Sequence, residues 1–180
     1  YWFAEKVNGG DNTINAVLTD DITVNSGVLN TDGSLNSAKI GSFEVWTPIG
    51  TVGKAYLGKF DGQNHKISGL YLDDTDMDYI GLFGYAGYSS ESSSDSDGLI
   101  QNVTIWDSYF AGKNYVGAVC GQANTNLGVS AILNQCINYG TVAGNEYVGG
   151  ICGDSGAGNT TNCQNFGKVS GSNNIGGVCG

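Results

Sequence analysis

The chain is 180 residues long and holds 30 Gly, one Pro, one Met, one His and no Arg, with a formal charge of −10 from 17 acidic side chains against 7 Lys. An acidic surface without a basic stripe repels phosphate backbones, which excludes nucleic-acid binding and makes a poor ligand for anionic membranes. Gly at this density without a Gly-X-Y period excludes collagen, and no apolar run approaches the roughly 18 residues that suggest a membrane span, so no membrane insertion is expected in this segment.

From the N-terminus, residues 1–45 read as lead-in, cap-like strands. No segment shows a convincing helical period, so an all-β chain of short strands and tight turns is expected throughout. Residues 46–84 form a first unit that opens on Trp46-Thr47-Pro48-Ile49-Gly50 and closes on Gly81-Leu82-Phe83-Gly84. A Ser-rich insertion, Tyr88 to Gly98, follows and reads as a projecting loop. Residues 85–180 carry three further units and stop at Cys179-Gly180 in mid-pattern, which leads to the expectation that the chain is a piece of a longer polypeptide.

Those three units align without gaps: Thr104 to Gly121, Cys136 to Gly153 and Cys163 to Gly180. In register they share Phe110, Val142 and Val169, then Gly112, Gly144 and Gly171. A V/I-G pair recurs at Gly117, Gly149 and Gly176, and a Cys-Gly pair at Cys120, Cys152 and Cys179. The unit measures about 27–36 residues, from the spacings of Gly81, Gly117, Gly149 and Gly176. Much of the variation falls in the connector after Cys-Gly, as in loops that project from one edge of a regular stack. Three short apolar runs per unit, joined by tight turns, predict one coil of a three-sided, right-handed parallel β-helix, a single β-solenoid domain over residues 1–180. At about 4.8 Å per rise, about six coils give a rod on the order of 30 Å long, with Phe110, Val142 and Val169 in an interior ladder. The Gly columns are expected where the backbone needs positive φ or close approach.

The sequence from Trp46 to Gly84, together with Tyr115-Val116-Gly117-Ala118-Val119-Cys120-Gly121 and Tyr147-Val148-Gly149-Gly150-Ile151-Cys152-Gly153, resembles the GLUG-motif proteins. These are repeat-bearing surface and secreted proteins of bacteria, and the resemblance covers roughly residues 14–180. It implies a β-helical region of adhesin-like proteins, sometimes beside catalytic domains such as immunoglobulin A peptidases, with no catalytic residues in the repeats themselves.

Several residues stand out as candidate sites. Cys120, Cys152 and Cys179 fall in one column and Cys136 and Cys163 in another, with no CxxC spacing for zinc. Stacked columns place their α-carbons inside the disulfide window, but reduced thiols filling small interior slots are the preferred reading. Asp74, Asp76 and Asp78 alternate along an acidic run and would converge on a calcium ion if the backbone curled; extended, they share a solvated face. Asp95-Ser96-Asp97-Gly98 is a weaker pattern of the same kind. No other cofactor is implied. Trp106 aligns with Asn138 and Asn165, which marks it as outward-facing and able to stack on a sugar. Trp46 reads as a structural plug. Asp61, His65 and Lys66 lie together and raise the alternative of a β-helix carbohydrate-active enzyme, although the same segment belongs to the ordinary repeat pattern.

These readings converge on a non-catalytic module of a cell-surface or secreted bacterial protein, a rigid scaffold or adhesion region that offers loops and a side face to a host or bacterial protein or glycan. An accessory region of a secreted peptidase is the other alternative.

Overall fold

A computed structural model describes residues 1–87, 98–126, 129–130, 132–156 and 159–180. Strands of mostly two to five residues turn repeatedly in one direction and pair in parallel with their equivalents in the next coil, except Val129–Ser130, which folds back antiparallel on the end of Cys120–Asn126. One column holds five strands: Ala16–Val17, Lys59–Asp61, Leu99–Gln101, Ile132–Asn134 and Asn159–Thr161. A second runs through Ile22–Thr23, Lys66–Ser68, Thr104–Trp106, Ile137–Asn138 and Gln164–Asn165. A third contains Tyr71–Asp73, Tyr109–Ala111, Thr141–Ala143 and Val169–Ser170. Two more columns are built on Asn114–Gly117 and Cys120–Asn126. The architecture is therefore a parallel β-solenoid. Among the described residues its coils run through five short sheets, and five coils stack where about six were expected.

The interior follows from strand alternation: in a three-residue strand the middle side chain points inward and its neighbours do not. Phe60, Ile100 and Leu133 stack in register and are buried. Phe110, Val142 and Val169 form the predicted ladder, which Leu72 extends by one coil, and all but Val169 are buried. Ile80, Val116, Val148 and Ile175 form another. Each coil buries its apolar row only because the next coil covers it, so stability resides in stacking.

The Gly columns answer to close approach. Gly117 and Gly149 have no positive φ, but a β-carbon on Gly117 would meet the Cys120 carbonyl and lie 2.7 Å from Cys152 Cα. One on Gly149 would meet the Cys152 carbonyl and lie 2.8 Å from Cys179 Cα. Gly81 is hemmed in by the Gly117 and Phe83 carbonyls at 2.5 and 2.9 Å, and Gly176 by the Cys179 carbonyl. Positive φ recurs instead at two other columns, both of non-glycine residues: Asn102, Gln135 and Asn162 in one, and Tyr79, Tyr115, Tyr147 and Asn174 in the other.

The N-terminus departs from the all-β expectation. Trp2–Gly9 is an α-helix and Ser37–Ser42 a 3₁₀ helix. The α-helix buries Ala4 and Val7 and sets Phe3 against Tyr56 and Phe60 at 5.8 and 6.2 Å. Asn8 fixes it, donating to the Pro48 carbonyl at 3.0 Å and accepting from Gly50 N–H at 2.8 Å. Two turns are too short to show a clear apolar period, so tertiary packing makes this helix. Trp46 is the expected plug: it is buried and its indole N–H donates to the Gly81 and Leu82 carbonyls at 3.1 and 3.3 Å.

Candidate functional site

After Ile22–Thr23 the chain leaves the coil and returns near Trp46. Asn25 clamps both ends of the excursion: its amide donates to Gly69 O at 2.7 Å and Glu44 O at 2.9 Å, and its oxygen accepts from Glu44 N–H at 2.9 Å. Inside it, Leu29 and Leu35 bridge antiparallel, and Asn30 N–H donates to Ser34 O at 2.8 Å. Gly27 and Gly33, at φ 68 and 79, supply turns that other residues adopt only with strain. The Asp32 carboxylate closes the tip by accepting from the Ser34 hydroxyl at 2.6 Å and Ser34 N–H at 2.9 Å.

This strap lies along the side of the stack and is tied to two coils. Asp107 accepts three backbone N–H bonds, from Gly27 and Val28 on one oxygen at 2.8 and 3.2 Å and from Leu29 on the other at 2.8 Å. Thr141 in the next coil donates its hydroxyl to Gly33 O at 2.7 Å. Lys168, one coil further, packs its aliphatic stem against Gly33, where a β-carbon would sit 3.3 Å from Cε.

Between the strap and the coils runs an open groove of about 560 Å³, lined by Leu29 to Gly33 on one side and by Trp106, Tyr139 and Phe166 on the other, with Lys168 among its lining residues. The three rings form a ladder on consecutive coils. Trp106 and Tyr139 are 4.8 Å apart and tilted by 53°, whereas Tyr139 and Phe166 are 4.9 Å apart and stacked within 13°. All are open to solvent, at 46%, 39% and 60%. The Asp32 carboxyl is held below its ordinary range, chiefly by the Ser34 hydroxyl, then the Ser34 N–H, with the Lys168 ammonium adding to the effect.

Trp106 does face outward, but its column is not the expected one. Thr104 pairs with Ile137 and Ile105 with Asn138, so Trp106 stands over Tyr139. The gapless alignment is correct from Tyr109, which pairs with Thr141, and one residue out before it. The extra residue lies at the corner, where Asp107 and Ser108 occupy the space of Gly140 alone. Asn138 and Asn165 instead form an inward corner ladder: Asn138 is buried, donates to Asn165 Oδ1 at 2.9 Å and accepts from Gly140 N–H at 2.7 Å. Allowing a one-residue offset would have shown the aromatic column. Nothing in the sequence signals the contacts from Asp107 and Thr141 to the strap.

The other candidates are placed as follows. Asp74 Oδ1 accepts from Asp76 N–H at 3.1 Å, and Asp78 Oδ1 accepts from Asn114 N–H in the next coil at 3.1 Å. The three carboxylates are not brought together, and among the described residues no group of three His, Cys, Asp or Glu could hold a metal. Asp95, Ser96 and Asp97 lie outside the described residues. Asp61 does not join His65: its oxygens accept from Gln101 and Asn102 side chains at 2.8 and 2.9 Å and from Gln63 N–H at 2.8 Å. His65 and Lys66 turn to Asp21 instead, at 3.2 and 3.5 Å.

The cysteines fall in the two expected columns and are free thiols. Cys120, Cys136 and Cys152 are buried; Cys163 and Cys179 are half-buried. Cys163 Sγ accepts from Cys136 N–H at 3.5 Å, and the Cys136 thiol beside it lowers the Cys163 pKa to about 7.

No family model matches the chain, so the GLUG resemblance has no support from that comparison. It is 36% identical over 74 residues to halomucin of Haloquadratum walsbyi, which covers 41% of this chain and 1% of that protein. It is 30% identical over 84 residues to a Gly-rich membrane protein of Evansella cellulosilytica, covering 47% of this chain and 9% of the relative. The chain thus spans a small fraction of the length of either. Among solved structures, it superposes on one titled as an immunoglobulin A1 protease of Bacteroides ovatus with a TM-score of 0.62 and 21% identity, over 93% of this chain and 55% of that one. At that identity the likeness establishes the fold alone.

Proposed function

We propose that the chain is a non-catalytic repeat module of a cell-surface or secreted protein, a stiff scaffold that offers its side groove to a partner in the cell's surroundings. The observation that carries this reading is the groove itself: three coils and a strap from outside the repeats combine to hold Trp106, Tyr139 and Phe166 exposed at fixed spacing. Soluble proteins seldom keep a contiguous row of large rings open to water without a binding role. An extracellular setting is supported by the names of the partial relatives, halomucin and a membrane protein, and by the fold shared with a protein titled as an immunoglobulin A1 protease. The non-catalytic reading draws support from Asp61, whose hydrogen bonds tie adjacent coils together and leave His65 to another partner.

The test is adhesion. Beads carrying the whole chain should attach to cells or secreted material from the source community, and Trp106→Ala with Phe166→Ala should reduce attachment without changing the circular dichroism. Attachment that ignores both rings would overturn the reading. So would turnover of an acidic polysaccharide that is lost in the Asp61→Ala, His65→Ala pair.

A further inference from the structure

We infer that the groove takes a neutral saccharide, with Trp106 as the ring on which a sugar stacks. The inference rests on the reading of this groove as the partner-binding face and adds the chemistry of its occupant.

A pyranose presents weakly positive C–H groups on its faces and hydroxyls around its rim, so it needs an open π-face beside mixed donors and acceptors. Rings stacked flat along the solenoid cover each other's faces and offer solvent only their edges. Tyr139 is in that state against Phe166, at 13°. Trp106 is not: it is tilted 53° from Tyr139, so that ring does not cover its face flat, and it is 46% exposed. Phe166 lies two coil rises along, on the same side of the stack. A short linear saccharide laid along the axis meets both.

The groove's charge selects a neutral ligand. Its charged lining residues are Asp32, Asp107 and Lys168. Asp107 has both oxygens occupied by the strap's N–H groups. Asp32 and Lys168 remain, one of each sign and near enough for the ammonium to favour the carboxylate. Together they supply acceptors and donors to hydroxyls, and with Asp107 the charged lining residues carry a small formal charge of −1. An anionic sugar meets a chain of charge −10 with a single Lys in the groove. A cationic peptide is drawn by the same charge but finds in the groove one carboxylate not tied up by the strap's amides, Asp32, with Lys168 beside it, and a wholly apolar ligand would strip water from Asp32 and Lys168 without replacing it. A volume of about 560 Å³ falls in the range of small-ligand sites, about 300–1,000 Å³.

The experiment titrates the whole 180-residue chain with three neutral probes, cellohexaose, chitohexaose and maltohexaose, and with hexagalacturonate and hexalysine, by calorimetry and Trp emission. At least one neutral probe should bind and perturb the emission, and Trp106→Ala should weaken it by about tenfold or more. Asp32→Asn and Lys168→Met should each weaken it several-fold, with circular dichroism unchanged in all variants. Tighter, Trp106-dependent binding of hexagalacturonate or hexalysine would overturn the inference. So would failure of all three neutral probes while Trp106-dependent bead attachment persists, and in that case the partner-binding role of the groove stands. Loss of both would remove the two proposals together.

Discussion

Replacing Asp107 removes the side chain that ties the start of the strap to the side of the stack. Its carboxylate accepts N–H bonds from Gly27, Val28 and Leu29, 78 to 80 residues away in sequence. Hydrogen bonds to a charged acceptor contribute about 1.5–3 kcal/mol each where water cannot substitute. Asp107 is half-buried, so the freed amides can partly rehydrate, and the three together should be worth about 2–4 kcal/mol of local stability. Asp107 also sits at φ 44, so Asp107→Ala adds a left-handed-backbone cost of about 1–2 kcal/mol. Asp107→Asn avoids that cost and keeps one acceptor, so it isolates the hydrogen bonds. Amide hydrogen exchange at Gly27, Val28 and Leu29 reads the result directly. With 1.4 kcal/mol per decade, exchange should accelerate by about 30-fold or more in Asp107→Ala and by about tenfold in Asp107→Asn. Amides in Val142 and Ile100, inside the stack, should be little affected. Unchanged exchange at the three strap amides would refute the claim that this carboxylate builds the groove wall.

Four further outcomes follow from the same structure. Phe110→Ala opens a void between Leu72 and Val142 and should cost about 3–5 kcal/mol in urea unfolding; a loss under about 1 kcal/mol would show that the ladder is not continuous. Gly149→Ala should disrupt the packing of the last coils, because its β-carbon meets the Cys152 carbonyl, whereas Gly177→Ala, with nothing within 4 Å, should melt like the parent in a thermal scan. Iodoacetamide should modify Cys163 first, at a rate that climbs as pH rises through about 7, while Cys136 and Cys152, whose thiols are pushed up by their thiol neighbours and burial, lag behind; uniform labelling by peptide mass spectrometry would contradict this. The Asp61 carboxyl is held below its ordinary value by Asn102, then by the Gln63 N–H and Gln101. Its folded pKa is depressed, so its contribution is complete above the ordinary Asp value of about 4 and is lost as pH falls through the lower folded value. Asp61→Asn should therefore flatten the acid limb of a stability–pH curve, and an unaltered limb would count against the bonding.

The repeat was legible because a parallel solenoid makes equivalent residues meet their own kind: Phe110, Val142 and Val169 recur in sequence and stack in space for one reason. The same regularity exposed the Gly and Cys columns. It failed at Trp106, since strand side chains alternate and a one-residue difference at the Asp107-Ser108 corner sends the next residue to the opposite face. The short helix at Trp2–Gly9 was invisible for a different reason, namely that its stability comes from the coil end it covers.

What the sequence by itself determined is the stack: a repeating inward position, a Gly wherever two coils come too close for a β-carbon, and an acidic exterior. What only the tertiary structure decided is the groove. Its two walls come from segments about 80 to 110 residues apart, Asp107 with Gly27 and Thr141 with Gly33. A strap that belongs to no repeat carries no period, and a carboxylate on one coil has no local signature of the three amides it will hold.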